Sequence, residues 1–352
     1  MLLEEKVLTS EQREGLLQLI GHAKRVVLTG HMDPDGDCIG SCSALLQVMR
    51  ALGKEAHVVM PNSFPDNMLL APLSGEFIRF NEQTEEGTAL LQAADLIFSL
   101  DYNGLGRMGE TLERVVGECR ASRVMIDHHL NPAVEQYTVC VSQPQMSSTC
   151  EVLQHVLLEL GYADLITKDV ATGLYLGLMT DTGNFSHASS RGEVFRCVAM
   201  LLDRGVDKEH VYRAVFWDSS EARMRLMGYL LYVNMQLLPT CQASIITMTN
   251  EEYRRFKAKK GDTEGFVNMP LEIQGIRLSF FMREDTETPG KIRISTRSVD
   301  EVPCNLICEK YFGGGGHKNA AGGSFLGTLD EAVSQAKKAA ADIEKLMKQE
   351  NA

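Results

Sequence analysis

Short apolar runs alternate with amphipathic stretches through the first half of the chain, and each run is bounded by charged or turn-forming residues. "RVVLTG" (25–30), "EAHVVM" (55–60), "DLIFSLD" (95–101) and "SRVMID" (122–127) read as buried strands, with "QYTVCVS" (136–142) as an edge strand. Between the first two, "IGSCSALLQVMRALG" has helical spacing. Strands alternating with helices predict α/β architecture around a mostly parallel sheet flanked by helices.

From about residue 148 the pattern turns helical. "SSTCEVLQHVLLELG" starts with residues that cap helices and stops at a glycine. Further helices are expected at 167–179, 190–204, 207–216 and 219–236. Beyond them "CQASIITM", "GIRLSFFMRE" and "KIRISTRS" alternate like half-exposed strands, with a charged helix near 250–260. "VPCNLICEKYF" returns to helical spacing, and a charged helix over 329–349 ends the chain. The organisation predicted is an α/β domain over 1–218, a helical linker over 219–240, and a smaller mixed-sheet α/β domain over 241–352.

The 352 residues carry 47 acidic and 35 basic side chains, a formal charge of −12. Such a surface repels long duplexes but suits divalent cations and a small anionic substrate. No run nears the roughly 20 apolar residues of a membrane span, and the start lacks a signal-peptide layout. The nine cysteines include no C-x-x-C, so Cys38/Cys42 and Cys304/Cys308 are read as helix packing groups. A cytoplasmic protein is expected. Its oligomeric state stays open, with a homodimer among the options.

Chemistry concentrates where apolar runs end. The first exits into "HMDPDGD" (His31, Asp33, Asp35, Asp37), the third at Asp101, the fourth into Asp127, His128 and His129. A fourth such site follows a more helical segment, "GLYLGLMTDTG", at Asp181. Taken alone, Asp35-Gly36-Asp37 fits a turn and Asp101 a helix cap. Taken together they differ, because parallel strands share one carboxyl edge and would bring these groups to one place. So many carboxylates raise one another's pKa unless a cation sits among them. Oxygen ligands with one or two imidazoles favour Mn²⁺ or Mg²⁺, and two such ions are the usual apparatus for in-line attack on phosphorus.

At these residues the sequence resembles the DHH phosphoesterase superfamily. "HMDPDGDCIGS", "SLDYNGLGRMG", "MIDHH" and "GLMTDTGNF" match its four motifs in order, and "STRS" with "YFGGGGHKNAAGG" resembles its DHHA1 substrate-binding domain. The layout is similar to NrnA-type proteins, which degrade very short RNA and dephosphorylate 3′-phosphoadenosine 5′-phosphate (pAp). The resemblance implies a hydrolase binding two Mn²⁺, with Mg²⁺ as a substitute. His31 and Asp35 match ligands of one ion, Asp37, His128 and Asp181 those of the other, and Asp101 a bridge. Asp127 is expected to orient His128, and His129 to face the scissile phosphate. Asp33 departs from the commoner Asn, and its role is left open between orienting His31 and altering metal affinity.

The glycine run is not a Walker A loop. Gly314, Gly315 and Gly316 can bring backbone N–H groups close to an anion, with His317 beside them and Arg297 and Ser298 at the end of a strand. A plain flexible connection is the alternative. Arg107 is divided between the cleft and a surface ion pair. Ser147-Ser148-Thr149 is read as a helix cap, with substrate contact as the alternative, and Phe185 is a candidate for base stacking. The implied substrates are single-stranded RNA a few nucleotides long and pAp. Linear or cyclic dinucleotides (pApA, cyclic di-AMP) are the alternative, and a regulator without catalysis is disfavoured by the full ligand set.

Overall fold

Arg25–Thr29 forms β1, buried at four of its five positions because helices cover both faces of its sheet. In the computed structural model, which describes residues 3, 5–217, 219–259 and 261–343, the chain divides at 218/219 into two units. The first contains α1 (Ser10–His22), β1, α2 (Gly36–Ala51), β2 (Glu55–Met60), β3 (Ile78–Arg79), α3 (Thr84–Ala93), β4 (Leu96–Leu100), α4 (Glu110–Glu118), β5 (Ser122–Asp127) and β6 (Val139–Ser142). Four helices follow: α5 (Thr149–Glu159), α6 (Lys168–Asp181), α7 (Gly192–Asp203) and α8 (Lys208–Phe216). The strands expected at 25–30, 55–60, 95–101, 122–127 and 136–142 are all present. The two-residue β3, too short to show a period, is an addition.

The six strands pair in parallel in the order β3-β2-β1-β4-β5-β6. Val26 and Leu28 of β1 enter the large core under α2, α5 and α6, while Val27 packs on the other face with Val59, Ile97 and Leu112. The order reverses between β1 and β4. At such a switch point the loops leaving two adjacent strands diverge and open a crevice at their carboxyl ends.

Helices α2 and α6 cross with almost no separation. A Cβ on Gly40 would lie 2.4 Å from the Gly173 carbonyl oxygen, and one on Gly173 would lie 2.8 Å from that of Gly40. This approach brings the start of α2 and the end of α6, hence Asp37 and Asp181, to one end of the sheet. No helix among the described residues is long and apolar enough to cross a membrane.

The second unit comprises α9 (Glu221–Tyr229), β7 (Gln236–Leu238), β8 (Ala243–Met248), α10 (Asn250–Arg255), β9 (Leu278–Glu284), β10 (Lys291–Ser298), α11 (Cys304–Phe312), β11 (Gly315–His317), β12 (Ala320–Leu326) and α12 (Leu329–Ala341). Its sheet order is β11-β12-β10-β9-β8-β7, antiparallel except between β8 and β9. This is the mixed sheet the alternation implied.

Three expected elements differ in extent. The helix expected over 219–236 ends as α9 and a π turn at Leu230–Asn234 before the chain enters β7. Residues expected as a linker instead help build the second core, where Leu226 and Leu230 are buried with Ile246 and Phe281. The helix near 250–260 stops at Arg255, with Lys260 outside the described residues, and α12 ends at Ala341, with 344–349 likewise outside. The glycine run is neither a loop nor a flexible connection. Gly313 caps α11 in the left-handed region (φ 57°), and Gly315–His317 pairs with β12 as an edge strand.

Candidate active site

The loops after β1, β4 and β5 and the ends of α2 and α6 meet at the switch point. Nε2 of His31 lies 3.5 Å from Oδ2 of Asp101 and 3.8 Å from Oδ1 of Asp35. Nε2 of His128 lies 3.7 Å from Oδ1 of Asp101 and 3.1 Å from Oδ2 of Asp181. The two oxygens of Asp101 therefore face different histidines. One ligand atom each from Asp37, His128 and Asp181 falls within 4.8 Å of the others. All six residues read from the sequence as metal ligands come together here.

The backbone around them explains how. Asp101 is a non-glycine residue in the left-handed region (φ 66°), a strained conformation that turns the chain sharply as it leaves β4. Asp35 caps α2 by accepting from the Asp37 and Cys38 amides. Asp37 is wholly buried and lies at the start of α5, its oxygens accepting from the Thr149 amide at 2.5 Å and the Cys150 amide at 2.9 Å. A helix N-terminus stabilises such a carboxylate. The Thr149 hydroxyl donates to Oδ1 of Asp101 at 2.9 Å. Ser148 caps α5 as the sequence suggested, but this role of Thr149 gave no signal there. Gly177 is a second unforeseen contributor. A Cβ on it would lie 2.4 Å from Oδ1 of Asp37, so only glycine leaves that carboxylate room.

The proton balance of the cluster reveals its need for positive charge. Burial opposes protonation of His31 and His128, yet neighbouring carboxylates prevail: Asp101 and Asp35 push His31 up to about 12, and Asp181, Asp37 and Asp101 push His128 up to about 10. Burial, then Asp181, lifts Asp37 to about 7, and burial with Asp37 raises Asp101 well above the carboxylate range. A divalent cation bound here would relieve the carboxylate repulsion behind these shifts. The donor set of four carboxylates and two imidazoles fits Mn²⁺ or Mg²⁺. Cys38 packs in the core as expected, but its thiol also falls within 4.8 Å of donor atoms on His31 and Asp101, and burial holds it protonated.

One assignment is corrected. Asp127 orients His129, not His128: its Oδ1 lies 2.7 Å from Nδ1 of His129, while Nδ1 of His128 faces the Met146 carbonyl at 3.3 Å. Positions two apart at a strand's end lie on the same face, so 127 pairs with 129. Oδ2 of Asp127 is buried without a partner. Asp33 (φ 54°) neither reaches His31 nor joins the cluster; it exchanges two hydrogen bonds with Asn62, at 2.8 and 2.9 Å. Arg107 is exposed, and its carbonyl accepts from the Met32 amide. Phe185 packs against Tyr175 and Phe195, with ring centroids 6.1 and 5.8 Å away, so it serves the core. A depression of about 790 Å³ lies at the opposite, amino ends of the strands, between His22, Arg25, Glu55 and Asp95. None of the clustered ligands lines it.

In the second unit, Arg297 of β10 and His317 of β11 both pair with Ala320 of β12. They occupy one cross-strand row with a methyl group between them, and cross-strand partners share a face. Gly316 has φ 148°, and a Cβ on Gly314 would lie 1.9 Å from the Gly322 carbonyl oxygen. Gly314 and Gly316 are thus required by the approach of β11 to β12. Ser298 is withdrawn from the surface: its hydroxyl donates to the Val302 carbonyl at 2.5 Å and accepts from Asn319 at 2.9 Å.

Comparison with known proteins adds an independent line. Residues 25–178 match the DHH family, N-terminal domain, and residues 242–348 the DHHA1 domain. The chain is 30% identical, over 88% of its own length and 87% of the relative's, to the bifunctional oligoribonuclease and PAP phosphatase NrnA of Thermus thermophilus. It is 26% identical to the cyclic-di-AMP phosphodiesterase GdpP of Bacillus subtilis, over 87% of this chain and 46% of that protein. The crystal structure of an exopolyphosphatase-related protein from Bacteroides fragilis is similar with a TM-score of 0.93 and 38% identity, covering 98% of this chain and all of the other.

Proposed function

Because the chain belongs to the DHH family, whose members hydrolyse phosphoester bonds, we propose that it trims RNA a few nucleotides long to mononucleotides and removes the 3′-phosphate of pAp. The observation that carries the reading is the meeting of six N and O ligands at one switch point, with the two Asp101 oxygens facing different histidines. His31 and Asp35 would hold one Mn²⁺, Asp37, His128 and Asp181 another, and Asp101 both. Bound there, two divalent ions supply neutralisation of the phosphoryl oxygens and activation of water for in-line attack.

The chain's own residues do the rest. Asp127 accepts from Nδ1–H of His129 and fixes the ring, leaving Nε2 to face the scissile group. In the second unit, Arg297 offers a planar fork and His317 a second donor across the Ala320 methyl, a pair suited to a terminal phosphate. Such a short row holds one end of a small substrate. The net charge of −12 argues likewise against long nucleic acid.

A second reading keeps the chemistry and takes linear or cyclic dinucleotides, favoured by the similarity to GdpP along most of this chain. Turnover of pAp, RNA dinucleotides, pApA, cyclic di-AMP and pyrophosphate is to be compared with Mn²⁺, Mg²⁺ and chelator. We expect pAp and RNA dinucleotides to turn over fastest with Mn²⁺. Preference for pApA moves the assignment to the second reading, and hydrolysis of pyrophosphate alone overturns both.

A further inference from the structure

Glu151 lies on α5 with no exposed surface, and both its oxygens are engaged. Oε2 accepts from the Ser147 amide at 2.7 Å and the Ser147 hydroxyl at 2.8 Å. Oε1 accepts from Nη1 of Arg191 at 3.0 Å, and the same guanidinium reaches the Gln145 carbonyl at 3.4 Å and pairs with Glu5. A buried ion pair contributes little net stability, because desolvation offsets its attraction. What it holds in place is the better question.

It holds the loop that sets the ligands. The Met146 carbonyl faces Nδ1 of His128, the Thr149 hydroxyl donates to Asp101, and the Thr149 and Cys150 amides donate to Asp37. Ser147, fixed by Glu151 through two hydrogen bonds, sits between Met146 and Thr149. Three ligands on three different elements thus take their orientation from one five-residue stretch, and Glu151 with Arg191 is the clamp on it.

We infer that Glu151 is a positioning residue: through Ser147 it fixes the 146–150 loop and so the geometry in which Asp37, Asp101 and His128 take up Mn²⁺, an inference resting on the metal reading above. Partners that hydrogen-bond a ligand directly are worth about ten- to hundredfold in metal affinity, and Glu151 acts on Met146, Thr149 and Cys150 together. An amide has a single acceptor oxygen, so Glu151→Gln must leave a donor facing either Ser147 or Arg191.

The experiment is titration of metal-free full-length protein with Mn²⁺, followed calorimetrically and by electron paramagnetic resonance. The parent, Glu151→Gln, Ser147→Ala, their double variant and Leu157→Ala are compared. Leu157 is buried on the same helix away from the loop, so its variant reports the effect of lost stability alone. Glu151→Gln is expected to bind Mn²⁺ about ten- to hundredfold more weakly with an altered resonance spectrum. Leu157→Ala is expected to melt earlier and bind within about twofold of the parent, and the double variant to fall short of the product of the single effects. Glu151→Gln binding like the parent, or Leu157→Ala losing as much affinity, overturns the inference alone. A parent that takes up no Mn²⁺ overturns the metal reading and this inference with it.

Discussion

In the first unit Asp37, Asp101 and Asp127 are at most 2% exposed, and each is held by hydrogen bonds from another element or to a neighbouring side chain. In the second unit Gly316 and His317 lie exposed on an edge strand, and only a shared row with Arg297 relates the two side chains. The first arrangement suits ions that need fixed ligand geometry. The second suits a flexible anion that arrives and leaves. Side chains gathered from five segments are rigid because their surroundings specify them; a row on an edge is specified by strand pairing alone.

The strongest way to break this contrast is to remove the shared carboxylate. Asp101→Ala is expected to abolish paired Mn²⁺ uptake in calorimetric titration and to lower kcat about a thousandfold, matching the several kcal/mol that metal ions supply. The opposite change, Arg297→Ala, should leave the Mn²⁺ titration as it is and raise KM about tenfold, the loss of one charge-assisted hydrogen bond. If Arg297→Ala weakens Mn²⁺ binding, the division of labour is wrong.

Adding one methyl group to each region sharpens it further. Gly177→Ala improves the helix propensity of α6 by up to about 1 kcal/mol, yet its Cβ would meet Oδ1 of Asp37 at 2.4 Å, and that oxygen is anchored by the Cys150 amide. The same Cβ would also meet Sγ of buried Cys150 at 2.3 Å, so the expected result is Mn²⁺ affinity down about ten- to hundredfold together with a lower melting temperature. Gly314→Ala meets the backbone oxygen of Gly322 and has no such offset. It should cost about 1–3 kcal/mol in thermal unfolding of the second unit and leave metal binding alone.

Legibility in the sequence divides along the same line. β1, β4 and β5 could be read because parallel strands covered on both faces are near-continuous apolar runs, and their polar exits mark the site. The Asp127–His129 pairing could not, since adjacency in "DHH" does not say which ring a carboxylate reaches; strand geometry does. Thr149 and Gly177 were silent because one resembled an ordinary helix cap residue and the other an ordinary helix glycine. "GGGGH" was ambiguous for a related reason: glycine serves a loop and a crowded edge strand equally, and only the partner strand distinguishes them.

Proton competition gives a smaller, graded effect. His31, His128 and Asp37 are all raised, so at pH 7 the metal-free cluster carries protons that Mn²⁺ must expel. A raised pKa means the proton is held until pH climbs past it, so apparent metal affinity rises with pH, by up to about tenfold per unit for each proton released. Titration in buffers of different ionisation heat counts those protons. Affinity independent of pH between 6 and 8 would mean that the cluster is already deprotonated.

The smallest effect expected is at Asp33, where an extra carboxylate stands beside an acidic centre. Charge alone would predict tighter metal binding, because the residue is only two positions from Asp35 and four from Asp37. Hydrogen bonding predicts otherwise. Asp33 is committed to Asn62, accepting from its amide at 2.9 Å and donating its own backbone N–H to the Asn62 oxygen at 2.8 Å. Asparagine retains an acceptor oxygen and tolerates the left-handed φ of 54° at this position. Asp33→Asn should therefore keep the reciprocal pair, with Mn²⁺ affinity and kcat within about twofold of the parent, since an exposed charge is screened by solvent. A tenfold loss of affinity would show that the field of Asp33 reaches the ligands, and the cluster would then extend one residue beyond the six that meet at the switch point.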